Sequence, residues 1–229
     1  MRDMRSREEE SMLQGVIFDM DGLMFDTEPL WESCWTSVLN RYGYEVPAGM
    51  FDGVRGLSGD VMCAALRRIF GDDAPAEAIW ADVRAMASEA LCKGAPKKPG
   101  LDDLIEYLRG LMLPLAVASA SSKQVIQNNL RQANILQHFD VVLSGEGFVR
   151  GKPDPQIFLE SARLLGTDPG RTLVLEDSSN GVEAGVAGGF VTVMVPDLTE
   201  PTSHLRELAT AVVGDLGQVI DLMEDKILG

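Results

Sequence analysis

Three features of the sequence predict an α/β fold: a doubly wound parallel sheet with a small α-helical domain inserted into it. Short, continuous apolar runs recur between polar or glycine-rich bounds, as expected of strands buried on both faces of a parallel sheet. Amphipathic segments of helical period alternate with these runs, the pattern of a layered α/β domain. One interval of more than ninety residues after the first run carries no strand pattern.

The predicted strands are 14–19 (QGVIFD), 113–119 (LPLAVAS), 141–144 (VVLS), 172–177 (TLVLED), 191–195 (VTVMV) and 211–215 (AVVGD). Between them, 101–108 sets Leu101, Leu104, Ile105 and Leu108 on one helical face. Segment 125–133 does the same with Val125, Ile126, Asn129, Leu130 and Ala133. Segment 155–165 opens on Pro155 and stops before Gly166, a suitable start and end for a helix. In the strandless interval, 31–42, 60–70 and 75–92 read as helices, and 93–100 (KGAPKKPG) reads as a returning linker. The expected organisation is therefore a core of 12–27 with 94–229, a helical insert over 28–93, and a solvated extension over 1–11.

Composition narrows the function. The chain has 35 acidic against 20 basic residues and a formal charge of −15. A nucleic-acid binder needs a basic stripe, so none is expected here. No apolar run approaches the ~20 residues that span a bilayer, so no membrane partner is expected. Cys34, Cys63 and Cys92 are odd in number and lack metal spacing, which fits reduced thiols and a cytoplasmic location.

In parallel α/β sheets, ligands gather outside the carboxyl ends of the strands. The first strand here ends in Asp19-Met20-Asp21-Gly22 and the fourth in Glu176-Asp177. Carboxylates packed at one crevice repel unless a cation or a shared proton compensates. A hard divalent ion, Mg²⁺, suits Asp19, Asp21, Glu176 and Asp177 acting together with a phosphate. Ser119 ends the second strand, and Lys152 follows the third in Gly151-Lys152-Pro153. A hydroxyl, an ammonium and backbone N–H groups at a helix start are a phosphate-holding set.

These segments together resemble the haloacid dehalogenase superfamily, in its β-phosphoglucomutase-like and sugar-phosphate phosphatase branch. Residues 19–28 (DMDGLMFDTE) are similar to its D-x-D-G-x-x-x-D-[ST]-E signature, and Ser119, Lys152 and Glu176-Asp177 fall at its second, third and fourth motifs. The resemblance implies a Rossmann-like core with a helical cap over 28–93. It implies Asp19 as the nucleophile that becomes an aspartyl-phosphate and Asp21 as general acid and base. Ser119, the Ala120 amide and Lys152 would hold phosphate. Mg²⁺ would be held by Asp19, the Asp21 carbonyl and Asp177, with Glu176 close by or acting through water. Thr27, Trp31, Arg55 and Ser58 are candidate substrate residues of the cap. For Trp31, packing inside the cap is an alternative to facing a sugar, and for Arg55 a solvated place on a flexible loop is the plain alternative.

The expected function is that of a Mg²⁺-dependent phosphatase of small phosphorylated metabolites, a sugar phosphate first among them, in a monomer or homodimer. A phosphomutase is the alternative, although Trp31 stands where the mutase-like members carry a histidine. A phospho-accepting signalling module is a third reading, disfavoured by Asp21 and by the large insert. No lysine occurs between residues 28 and 92, which speaks against a phosphonatase with a Schiff-base lysine. His138 and His204 have no partner at ligand spacing and receive no catalytic role.

Overall fold

The computed structural model describes residues 13–55, 57, 59–198 and 200–228, the side chain of residue 52 excepted. The expected extension over 1–11 and Ser58 lie outside the described residues. The chain divides into two compact units: one runs to Asp26 and resumes at Pro96, and the other is Thr27–Ala95.

The first unit is a doubly wound α/β structure, as the sequence predicts. Its strands are β1 (Gly15–Phe18), β2 (Leu115–Ser119), β3 (Val141–Ser144), β4 (Thr172–Glu176), β5 (Val191–Met194) and β6 (Ala211–Val212). They form one sheet in the order β3-β2-β1-β4-β5-β6, with every pairing parallel. The order reverses at β1, whose neighbours are β2 and β4, and that reversal opens a crevice at the carboxyl ends of the strands. Register places Phe18 beside both Val117 and Leu175, so the residues that follow β1, β2 and β4 leave the sheet at one level.

Both faces of the sheet are covered. Ile17, Ala116, Ala118 and Val174 pack with Ile157, Phe158, Ala162 and Ala184 on one face. Val16, Phe18, Leu173 and Leu175 point the other way and are equally buried. The alternation of adjacent strand residues between two apolar layers explains the continuous apolar runs of the sequence. The helices over Gln156–Leu165 and Ser179–Ala187 supply the first layer. Gly166 ends the former in the left-handed conformation, with φ of 73°, a standard helix stop. Helix Lys123–Gln132 starts on the Ser122 side chain, which accepts from the Val125 amide. Three helices of this unit were not foreseen: Ser179–Ala187, Ser203–Leu208 and Gly217–Glu224. Serine, threonine and glycine at their starts lowered the periodic signal, while side-chain caps from Ser178 and Thr202 hold two of them.

The second unit is helical, built from Glu28–Arg41, Met50–Val54, Gly59–Phe70 and Ala76–Leu91. Trp35, Val38, Leu39, Met62, Leu66, Ile79 and Val83 form its own buried core. Cys63 is buried in that core, a packing role. The short turn Met50–Val54 escaped the sequence reading because five residues cannot show a helical period.

Candidate active site

The sequence-predicted acids and their complements meet at the carboxyl ends of β1, β2 and β4. Asp19 follows β1 directly, and its amide donates to the Leu175 carbonyl of β4 at 3.0 Å. Its side chain is buried against the Lys152 ammonium, with Nζ to Oδ1 at 2.5 Å. The same ammonium donates to Glu176 Oε1 at 2.5 Å and lies over the Phe158 ring, 4.7 Å from its centroid. Residues 133 positions apart in sequence thus form one ion pair, because the fold returns the loop after β3 to the centre of the sheet.

Burial pushes the Asp19 carboxyl up to about 7; Lys152 opposes this rise, while Glu176 and Asp21 add to it. Burial also works against the Lys152 ammonium, but Asp19 and Glu176 outweigh it and hold its pKa above the ordinary lysine value. The lysine is therefore a cation at neutral pH, whereas the ionised form of Asp19 is disfavoured by burial and by the neighbouring acids.

Asp21 lies in a different environment. It accepts from the Ser121 hydroxyl at 2.7 Å and from the Ser119 hydroxyl at 3.1 Å. Ser119 Oγ in turn accepts from the Ser121 amide at 3.0 Å. The Asp21 loop is fixed by short-range bonds: Gly22 N–H donates to the Phe25 carbonyl at 3.0 Å, and Met24 N–H to the Met20 carbonyl at 3.0 Å. The Ser121 loop is braced from β3, since Ser144 Oγ donates to the Ser121 carbonyl at 2.7 Å. Ala120, between the two serines, is exposed and touches closely enough on Gly145 that a side chain there would lie 3.2 Å from its Cα.

Glu176 has both oxygens engaged. Oε2 accepts from the Asp177 amide at 3.0 Å, the Ser178 amide at 3.0 Å and the Ser178 hydroxyl at 2.9 Å. Gly181 lies directly above it, and a Cβ at that position would fall inside the Glu176 carboxylate. Glu176 is thus the organiser of the loop that carries Asp177. Asp177 is held well above the usual carboxylate range by burial, then by Glu176 and Asp19, with Lys152 opposing and Asp197 adding. Its side chain lies where a Cβ on Gly22 would project. Gly22 has φ of 83°, so this close approach of two loops needs glycine for both conformation and space.

Among the described residues, no three His, Cys, Asp or Glu side chains are already gathered as a complete metal centre. The donor chemistry nevertheless fits a hard divalent cation. The groups are all carboxylates, and burial and mutual repulsion raise Asp19 and Asp177, a cost that a cation relieves.

The cap candidates fall in the helical unit and are bound up in its own packing. Trp31 stacks on Trp80, with centroids 6.2 Å apart and planes at 25°, and Trp80 stacks in turn on Trp35 at 5.7 Å. Arg55 is no solvated arginine: Nε pairs with Glu28 at 2.9 Å, and the guanidinium reaches Glu32 at 3.5 Å. Thr27 is fully buried, and its hydroxyl has no hydrogen-bond partner. Asp154 orients the Lys152 loop, accepting from the Gln156 amide at 3.1 Å and pairing with Arg150 at 2.9 Å. His138 ends a single 3₁₀ turn beside Gln137, and His204 lies in helix Ser203–Leu208.

Sequence reasoning missed Ser121, Ser178, Gly181, Lys98 and Asp197. Ser121 and Ser178 each follow a residue already singled out, and their adjacency was the available signal. Lys98 and Asp197 had none, because an ion pair across 99 positions leaves no local pattern.

A phosphorylated carbohydrates phosphatase of Thermotoga maritima is 28% identical over 207 residues, covering 88% of this chain and 94% of its own length. Hexitol phosphatase B of Escherichia coli is 30% identical over 184 residues, covering 79% of this chain and 82% of its own. The crystal structure of β-phosphoglucomutase from Clostridium difficile superposes with a TM-score of 0.75 at 23% identity, covering 94% of this chain and 97% of that one, a likeness of fold. Residues 16–195 match the sequence profile of the haloacid dehalogenase-like hydrolases, and a match over most of the chain makes this protein a member of that family.

Proposed function

We propose that this hydrolase is a Mg²⁺-dependent phosphatase of small phosphorylated metabolites, a sugar phosphate in particular, working through an aspartyl-phosphate. The observation that carries the reading is the unequal treatment of two carboxylates two residues apart: Asp19 bonded to a buried lysine, and Asp21 bonded to two hydroxyls. Environments that separate neighbouring acids assign them different roles. The kinship with carbohydrate and hexitol phosphatases supports a phosphate monoester of a polyol or sugar.

In the first half-reaction, an Asp19 oxygen forms a bond to phosphorus as the bond to the leaving oxygen breaks, and the Asp21 carboxyl gives its proton to that oxygen. In the second, Asp21 takes a proton from water, the water oxygen bonds to phosphorus, and the Asp19–phosphorus bond breaks to release inorganic phosphate. Lys152, Ser119 and the Ala120 amide hold the phosphoryl oxygens as charge shifts between them. Glu176 fixes Lys152 and the Asp177 loop. Asp19, the Asp21 carbonyl and Asp177 would hold Mg²⁺, which hydrolases of this family generally use; when bound it lowers the repulsion between the carboxylate and the phosphoryl group. Selection of the organic group belongs to the helical unit in this reading, and the cytoplasm is the expected location; no described helix is long and apolar enough to cross a membrane.

The test is release of inorganic phosphate from a panel of phosphorylated sugars, polyols, nucleotides and glycolytic acids, with Mg²⁺ and with EDTA. Turnover that needs Mg²⁺ and is fastest on sugar or polyol phosphates is expected. Full activity in EDTA, or glucose 6-phosphate formed from β-glucose 1-phosphate and a bisphosphate primer without phosphate release, would overturn it.

A further inference from the structure

The loop after β5 carries an acid that the reaction above does not use. Asp197 has a side chain only 7% exposed, and one of its oxygens is held by the Lys98 ammonium. Its second oxygen, Oδ2, is buried and has no hydrogen-bond partner. A buried carboxylate oxygen left unbonded is costly, and such an atom marks a ligand, ion or water that belongs there. A counter-ion for Lys98 needs one oxygen, and Asp26 also approaches that ammonium, at 3.8 Å. Neither contact explains why Oδ2 is turned inward.

Gly22 shows where Oδ2 is aimed. A Cβ on Gly22 would meet Asp177 and, at 3.4 Å, Asp197 Oδ2. The two acids therefore face the same small volume beside the Asp21 loop, from the loops that follow β4 and β5. The negative charge of Asp197 is felt at Asp177, so the two are electrostatically linked as well as adjacent.

We infer that Asp197, held in place by Lys98, is an outer carboxylate of the cation site, its unbonded oxygen accepting from the hydration shell of a divalent ion held by Asp19 and Asp177. Asp197 is a positioning residue: it does not touch the phosphoryl group. Lys98 cancels one of the two acids that flank it, so the net negative charge of this cluster faces the cation. The inference rests on the phosphatase reading of the same site and adds to it a residue and a linker lysine.

The measurement is Mn²⁺ binding to the metal-stripped protein, followed by electron paramagnetic resonance, in the unaltered chain and in Asp177→Asn, Asp197→Asn and the double variant Asp197→Asn with Lys98→Met. The double variant removes the lysine that the single one leaves without its main partner. Outer partners of metal sites are typically worth about 10–100-fold in affinity, so both Asp197 variants should bind Mn²⁺ about tenfold or more weakly. Melting in EDTA should stay close to that of the unaltered chain in the double variant. Binding within about twofold of the unaltered chain, while Asp177→Asn binds poorly, overturns the role of Asp197 and leaves the phosphatase reading standing. Weaker binding that only tracks a lowered melting temperature in both variants also overturns it. An unaltered chain that binds no Mn²⁺ removes the cation site itself, and with it both readings.

Discussion

The two units of this chain organise their polar side chains by different rules. In the α/β unit, Asp19, Asp21, Glu176 and Asp177 follow buried strands, and several pairs of the site join residues far apart in sequence: Asp19 with Lys152, Asp21 with Ser119, Lys98 with Asp197. In the helical unit, Arg55 pairs with Glu28 and Glu32 on a neighbouring helix, and the aromatic rings stack upon one another. Sheet topology dictates where the first set must lie, whereas nothing but local packing dictates the second.

The strongest test of that division is Asp19→Asn. It keeps the shape and the Lys152 contact but removes the proposed nucleophile, so turnover should fall by about 10⁴-fold or more, measured as phosphate release, with circular dichroism unchanged. Retained turnover would erase the distinction between the two units. Gly181→Ala comes next. Its methyl group would fall on the Glu176 carboxylate inside a fixed helix, so unfolding in urea should show a loss of about 3 kcal/mol, accompanied by slower turnover as Lys152 and the Asp177 loop shift.

The pH dependence sharpens the comparison further. In the metal-free fold, Asp19 holds its proton up to about 7 from an ordinary value of 3.8, and Asp177 shifts in the same direction. The folded chain then binds more protons than the unfolded one in that window, so stability declines as pH rises through it and the full cost is present above about 7. Mg²⁺ binds the deprotonated carboxylates, so its stabilisation should be greater at about pH 8 than at about pH 5. Melting curves with Mg²⁺ and with EDTA across that range check the sign; a Mg²⁺ effect that is larger in acid would contradict it. The smallest expected effect is in the helical unit. Trp80→Leu removes two ring stacks, costing about 1 kcal/mol of stability beyond the area lost, while kcat on a small aryl phosphate should stay within about twofold.

The same contrast governs what could be read from the sequence. The six strands were visible as apolar runs: β1, β2 and β4 are buried along their whole length, and the edge strands β3 and β6, only half-buried, still carry mainly alanine, valine and leucine. Asp19, Asp21, Ser119, Lys152, Glu176 and Asp177 were legible because each interrupts or follows such a run. The roles of Gly181 and Asp197 were not, since close approach and ion pairing between distant loops exist only once the chain is folded. Arg55 misled for a related reason: a glycine-rich neighbourhood suggested exposure, but two acids on helix Glu28–Arg41 hold its side chain. Trp31 left two options open, and its place in a stack of three rings comes from Trp80, 49 positions downstream by residue number.

The placement of β1 between β2 and β4 also sets a condition on how the protein comes to life. Strand partners of β1 arrive about a hundred residues or more later in the chain, and parallel pairings across such distances close slowly. Asp19 is made well before Lys152, 133 positions later, so the proposed nucleophile has no lysine beside it until the segment past residue 152 has been threaded back. Recovery of catalysis after dilution from denaturant is therefore a clock for the last stage of sheet assembly, and it should lag behind the return of helical ellipticity.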